Sequence, residues 1–288
     1  MKNYKVKAIL TLVFMTAIWG GTFPLIKSLL NQMSANELLT LRFFFASLVA
    51  FPFILKKNKT SKKQLLKLFL LGISLWIAYE AQTVGLKFTT PTKSAFITGL
   101  YIIFTPLLAI ILMNEKIPKR LILSLLIGIS GLYIISNISF GNLASLNVGD
   151  LITLISALAF AVQIILTNQL AKDVKISYIT SVQMLIMFIL SFAASGFRIN
   201  IHLSIWTIIA LIFLGSIGGY LAILAETYSL KYIDPSRASI IFTLEPIFAL
   251  IFSVIFIKEQ ITLRSMIGAM LIFISIVLAS TNGAKNSG

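Results

Sequence analysis

Ten apolar stretches, each about long enough to cross a bilayer core of roughly 30 Å, run nearly end to end through this chain of 288 residues. They lie near 8–27, 38–55, 65–86, 94–113, 121–138, 151–171, 177–195, 205–226, 236–257 and 265–281, taken in order as spans 1 to 10. Hydrophobic residues make up 58% of the chain and charged residues 11%, more apolar surface than a soluble domain of this length can bury. The expectation is an all-α integral membrane protein with ten transmembrane helices and no soluble domain. Span 1 is too long for a cleaved signal peptide, and Lys27 follows it without a small-residue cleavage pattern, so it reads as a retained span. The chain has no cysteine, which excludes disulfides and thiolate metal sites.

The second constraint is a duplication. Pro91 and Pro235 are 144 positions apart. The same shift carries Thr83 onto Thr227, Leu86-Lys87 onto Leu230-Lys231, Ile103-Phe104 onto Ile247-Phe248, Glu115 onto Glu259 and Arg120 onto Arg264. A Gly- and polar-rich stretch at 139–149 separates the halves, giving repeats over 1–143 and 144–288 with five spans each. Five is odd, so the second repeat enters the membrane in the opposite sense. The pair is then an inverted repeat, which builds a site at its junction and supports inward- and outward-open states of similar energy.

The net charge of +15 is not a nucleic-acid signal once its placement is read. With the N-terminus inside, seventeen of the 24 Lys and Arg flank the inner ends of spans, six flank the outer ends, and Arg42 lies within span 2. This bias predicts cytoplasmic termini. It also places the loop Lys56-Lys57-Asn58-Lys59-Thr60-Ser61-Lys62-Lys63 against anionic lipid. That loop lacks the interleaved aromatics of a nucleic-acid surface, so no nucleic-acid partner is expected.

Several motifs carry a family likeness. They are Ile18-Trp19-Gly20-Gly21-Thr22-Phe23 in span 1 and Leu41-Arg42-Phe43-Phe44-Phe45-Ala46 in span 2. Span 4 adds Thr98-Gly99-Leu100-Tyr101 through Pro106 and Glu115, and span 9 adds Pro235-Ser236-Arg237-Ala238 through Glu245-Pro246 and Glu259. With ten spans as five plus five, the chain resembles the EamA-type permeases of the drug/metabolite transporter superfamily over nearly its whole length. The resemblance implies a plasma-membrane exporter of amino acids or related metabolites. An uptake permease of the same fold and a non-transporting membrane scaffold are the alternatives. A five-plus-five chain contains both halves, so a monomer is expected to suffice.

Helix geometry nominates a site. Ser94, Thr98, Tyr101 and Thr105 share one helical face, and a polar stripe in an apolar span faces protein or water. The repeat offset makes Tyr101 the mate of Glu245, and Trp19 the mate of Gln163. Trp19, Thr98, Tyr101, Gln163 and Glu245 are therefore the candidate substrate-binding residues, in a site formed by spans 1, 3, 4, 6, 8 and 9. Glu245, the deepest carboxylate, either recognises a substrate amine or carries a coupling proton. Glu80, Glu226 and Arg42 are candidates for the pathway or for coupling. An Arg42–Glu80 ion pair is expected, and Glu226 either belongs to the pathway or reaches toward Lys231 or the interface. Asp234-Pro235 and Thr90-Pro91 read as helix starts, Pro24, Pro52, Pro106 and Pro246 as bends, and Gly215 with Gly219 as a packing face.

An enzyme is not expected. Gly128-Ile129-Ser130-Gly131 matches a G-x-S-G pattern, yet the only histidine, His202, falls in an outer loop where it cannot serve Ser130 as a base. There is no Walker-type phosphate loop and no H-E-x-x-H, so neither a nucleotide, a metal nor any other cofactor is implied.

Overall fold

The computed structural model describes residues 2–55, 59–135, 147–199, 203–258 and 260–280, and the apolar runs fold there as helices, several of them opened by a capping side chain. Lys56, Lys57, Asn58, linker residues 139–146, His202, Glu259 and Lys285 lie outside the described residues. Helix α1 covers Lys2–Leu29. Ser34 and Glu37 form a capping box that opens α2, Ala35–Ile54, and Ser61 with Gln64 does the same for α3, Lys62–Phe88. Asn147 and Asp150 open α7, Val148–Ala171, which is followed by α8, Ile176–Ala194. Among the described residues, eight helical segments are long and apolar enough to cross a membrane, and the last helix, α13 (Leu263–Ser280), is a shorter apolar one. Helix α6, Lys119–Ile135, has 17 residues. Where ten spans are expected, eight long ones are thus seen. Spans 5 and 10 continue into residues outside the description.

Spans 4 and 9, where Pro106 and Pro246 are expected to bend the helix, are each broken outright near mid-length. Span 4 divides into α4, Pro91–Thr98, and α5, Tyr101–Met113, and span 9 into α11, Pro235–Phe242, and α12, Leu244–Ile257. The breaks fall at Gly99 and Thr243, again 144 apart, but their chemistry differs. At the second, Pro246 has no N–H for the Phe242 carbonyl, and Thr243 turns its hydroxyl back onto the Ile240 carbonyl at 2.6 Å. Both spans close in the left-handed region, at Asn114 with φ 52° and Lys258 with φ 57°, another pair at the repeat offset. As expected, Thr90 caps α4 by accepting from the Lys93 N–H. Asp234 sits at the N-cap of α11 without capping through its side chain, and pairs instead with Arg237 at 3.1 Å.

The halves are related by a twofold, visible in contacts that exchange under the offset. A Cβ on Gly128 would meet Ser275, and one on Gly131 would meet Ile272, so α6 and α13 run antiparallel. Those pairs are each other's images, since 128 maps to 272 and 131 to 275. The Ser124 hydroxyl donates to the Ser275 carbonyl at 2.5 Å, and the Ser275 hydroxyl donates to the Ser124 carbonyl at 2.8 Å. The glycines of the G-x-S-G match therefore serve helix approach, while Ser130 is exposed and bonds the Leu126 carbonyl. Helices α3 and α7 are antiparallel along their length, tied by Lys67 to Gln169 at 2.7 Å and by Asn147 to the Phe88 carbonyl at 2.9 Å.

Span 8 is interrupted too. Helix α9, Ile205–Gly215, passes into a π-helical turn at Ser216–Leu221 before α10, Ala222–Leu230. The Ala222 N–H, which an α-helix would direct to Gly218, reaches Gly219 and Ile217 instead. Lys27 donates to the Leu86 and Thr89 carbonyls, each at 2.8 Å, satisfying the C-terminus of α3. Lys93 binds Asp150 at 2.6 Å, joining the starts of α4 and α7.

The two glycines of span 8 are not equivalent. A Cβ on Gly215 would collide with the Arg42 backbone oxygen and stand 2.7 Å from Phe45 Cβ, whereas one on Gly219 would meet Leu214 O at 3.1 Å and Ala46 Cβ at 3.5 Å. Gly215→Ala is expected to destabilise the detergent-solubilised protein by about 1–3 kcal/mol, as overpacking does, and Gly219→Ala by less. Thermal unfolding of the two variants side by side checks the order.

Candidate functional site

Burial of charge locates the site. Glu226 and Glu245 are 3% and 7% exposed, and each costs roughly 2.5–3.5 kcal/mol to insert at the centre of a bilayer without a partner. Both line one central cavity of about 30 Å³, room for about two waters. Its wall takes Trp19 and Thr22 from α1, Tyr79 and Gln82 from α3, and Tyr101 from α5. Phe160 and Ile164 come from α7, Ile223 and Glu226 from α10, Phe242 from α11 and Glu245 from α12. These helices belong to spans 1, 3, 4, 6, 8 and 9.

The cavity lies across the twofold. The Tyr101 hydroxyl donates to Glu245 Oε2 at 3.3 Å, so these repeat mates touch, which happens only near the axis. Gln82 and Glu226 are also 144 apart, and so are Tyr79 and Ile223. Glu245 is held there by close backbone approach: a Cβ on Gly20 would stand 2.9 Å from the Glu245 carbonyl and 2.8 Å from Ala249 N. Glu226 accepts from Gln163 Nε2 at 3.3 Å. Bonds this long are weak for a carboxylate, and among the described residues each acid has one such side-chain donor. Part of its desolvation is therefore left uncompensated.

Five aromatic rings form a continuous arc around the cavity. Tyr79 meets Phe160 edge-on at 5.4 Å, Phe160 meets Tyr101 at 6.4 Å, Tyr101 meets Phe242 at 6.0 Å, and Phe242 meets Trp19 at 5.8 Å. Edge-to-face pairs of this kind stiffen one another by about 0.5–1.5 kcal/mol beyond burial. Among the described residues, no lysine or arginine lines the cavity. Two carboxylates facing an aromatic arc form a setting for a cation.

Of the sequence-nominated residues, Trp19, Tyr101 and Glu245 line the cavity and Glu226 joins them. Glu226 is thus not directed to Lys231 or the interface; the bond from Gln163 turns it inward. Thr98 and Gln163 stand one layer behind the wall. Thr98 accepts from Gln82 Nε2 at 3.2 Å and neighbours Ser156 at 3.3 Å, fixing the Gln82 amide. Gln163 bridges Glu226 and Thr167. Arg42 and Glu80 form no ion pair. Arg42 lies over the Tyr79 ring at 4.7 Å, and Glu80, the next residue, projects about 100° away around α3. Gln82, Thr22 and Tyr79 were not nominated. The repeat offset applied to Glu226 would have found Gln82.

A second polar hollow, about 220 Å³, opens where α5, α7 and α10 end, and Glu115, Lys172, Lys231 and Asp234 line it. Burial pushes the Glu115 carboxyl above its ordinary value of 4.5, with the nearby Ser236 hydroxyl pulling the other way. A group whose folded pKa is raised contributes stability that is present below the unfolded value and lost as pH rises through the folded one. Melting curves in detergent from pH 4.5 upward should show wild-type losing stability relative to Glu115→Gln. Parallel curves would mean that Glu115 is not desolvated.

Comparison with known proteins follows the same architecture. The model of the EamA-like transporter family matches twice, over residues 6–137 and 147–281. An uncharacterized transporter of Archaeoglobus fulgidus is 30% identical over 276 residues, 94% of this chain and 85% of that one. The uncharacterized transporter YyaM of Bacillus subtilis is 28% identical over 276 residues, covering 91% and 89% of the two chains. A crystal structure with 16% identity aligns over 98% of this chain and 99% of its own with a TM-score of 0.79, a likeness of fold.

Proposed function

The chain belongs to the EamA-like transporter family, and from that membership and the charge of its central cavity we propose a secondary transporter or facilitator for a small, amine-bearing organic metabolite, working by alternating access. The observation that carries the reading is the pairing of two buried carboxylates with the aromatic arc, without a cationic side chain in the wall. An ammonium group placed there meets Glu226 and Glu245 as counter-charges and the ring faces as cation–π partners. It thereby offsets desolvation that Tyr101 and Gln163 offset only in part. The cavity as it stands holds about two waters, and movement of the two repeats apart on one side, which inverted repeats permit, would admit a metabolite. The family resemblance of spans 1, 2, 4 and 9 supports export of amino acids or related metabolites across the plasma membrane. The basic inner flanks support cytoplasmic termini and contact with anionic lipid.

The test is flux into proteoliposomes containing the purified chain. Amine-bearing metabolites should show saturable flux, reduced about tenfold or more by Glu245→Gln or Glu226→Gln, the factor that about 1.4 kcal/mol of lost binding represents. Tyr101→Phe removes one long hydrogen bond, worth about 1 kcal/mol, and should cost about fivefold. Imposing a pH gradient separates coupled from facilitated flux. If all three variants carry every accepted substrate at the wild-type rate, the site assignment is wrong.

A further inference from the structure

Arg42 is fully buried, and among the described residues its charge has no carboxylate partner. Its Nη2 donates to the Gly218 carbonyl at 3.1 Å, while Nε and Nη1 are buried with no hydrogen-bond partner. The Gly218 carbonyl is available because the π turn sends the Ala222 N–H elsewhere. Trp19 Nε1 donates to that same carbonyl at 3.2 Å. One indole already satisfies this oxygen, so capping it does not account for a guanidinium. A neutral donor would do as well without burying a charge.

The position of Arg42 relates it to the cavity. Its guanidinium carbon lies 4.7 Å from the centre of the Tyr79 ring. A Cβ built on Gly218 would touch Thr22 Cγ2 at 3.2 Å and Arg42 Nη2 at 3.9 Å. Trp19, Thr22 and Tyr79 all line the cavity, so Arg42 stands immediately behind its wall. One hydrogen of Nη2 serves Gly218. The other, with whichever of Nε or Nη1 lies beside it, presents a two-donor edge whose geometry fits a carboxylate.

We propose that Arg42 is an anion subsite of the central site, taking a carboxylate group of the transported molecule when Trp19, Thr22 and Tyr79 part. The subsite rests on the transporter reading above and extends it, because the wall carboxylates then hold the cationic end of a zwitterion and Arg42 its anionic end. The two ends are filled by different residues and can be probed separately.

Thermal unfolding of the detergent-solubilised full chain, with benzoate, benzylammonium or chloride added at matched ionic strength, tests the proposal by mass action. Benzoate should stabilise wild-type. Arg42→Gln should weaken its apparent affinity about tenfold or more while the benzylammonium response persists, and Glu245→Gln should show the reverse. Should Arg42→Gln fail to fold, Arg42→Lys keeps the charge but loses the planar edge, and should still weaken benzoate binding. Equal benzoate affinity in wild-type and the Arg42 variants overturns the subsite, as does a wild-type indifferent to benzoate. Chloride that stabilises wild-type and competes with benzoate at equal affinity overturns the carboxylate assignment in favour of an inorganic anion. Loss of the benzylammonium response alone counts against the amine reading and leaves the Arg42 result to decide its own case.

Discussion

Removing Glu226 and Glu245 from water is the constraint around which the central helices are arranged. Both acids are buried, so each must find donors inside the bundle, and the described residues supply Tyr101 and Gln163 at 3.3 Å. Those donors are themselves held in place. Gln163 is tied to Thr167, and Tyr101 is wedged edge-on between Phe160 and Phe242. The close approach of α1 to α12 at Gly20 brings Trp19 to the same cavity. What results is a small polar centre whose acids are only partly compensated.

The backbone around this centre is nearly symmetric and the chemistry is not. Breaks at Gly99 and Thr243, left-handed ends at Asn114 and Lys258, and the exchanging contacts of α6 with α13 all obey one twofold. Both carboxylates come from the second repeat, while the first supplies Trp19, Tyr79, Gln82 and Tyr101 in their mates' places or beside them. A symmetric scaffold allows two conformations of similar energy, each the approximate image of the other. On the proposed transporter reading, the asymmetric lining would let a ligand stabilise one of them more than the other.

Much of this was legible in the sequence because hydrocarbon leaves few choices. Run length gave helices, and the 144-residue offset paired Tyr101 with Glu245 before any contact was known. What failed was angular position. Depth along spans 2 and 3 suggested an Arg42–Glu80 pair, but the residue of α3 that faces Arg42 is Tyr79. Glu226 was read from its distance to the end of span 8, which says nothing of the bond from Gln163 that draws it inward. The break in span 9 was foreshadowed by Pro246, read as a bend, whereas the one at Gly99 was not, because a glycine inside an apolar run carries no hydropathy signal. The π turn at Ser216–Leu221 is equally silent, since a bulge of backbone hydrogen bonding leaves the composition unchanged.

The central claim is that one cavity serves both sides of the membrane in turn. The chain contains no cysteine, so Ile223→Cys, in the cavity wall beside the acids, places a single thiol there. Labelling that thiol with a membrane-impermeant maleimide, applied to one face and then the other of oriented vesicles, measures its access directly. The account predicts reaction from both faces, with the ratio of the two rates shifted by a transported substrate. Reaction from one face alone, under every condition that supports flux, would contradict it.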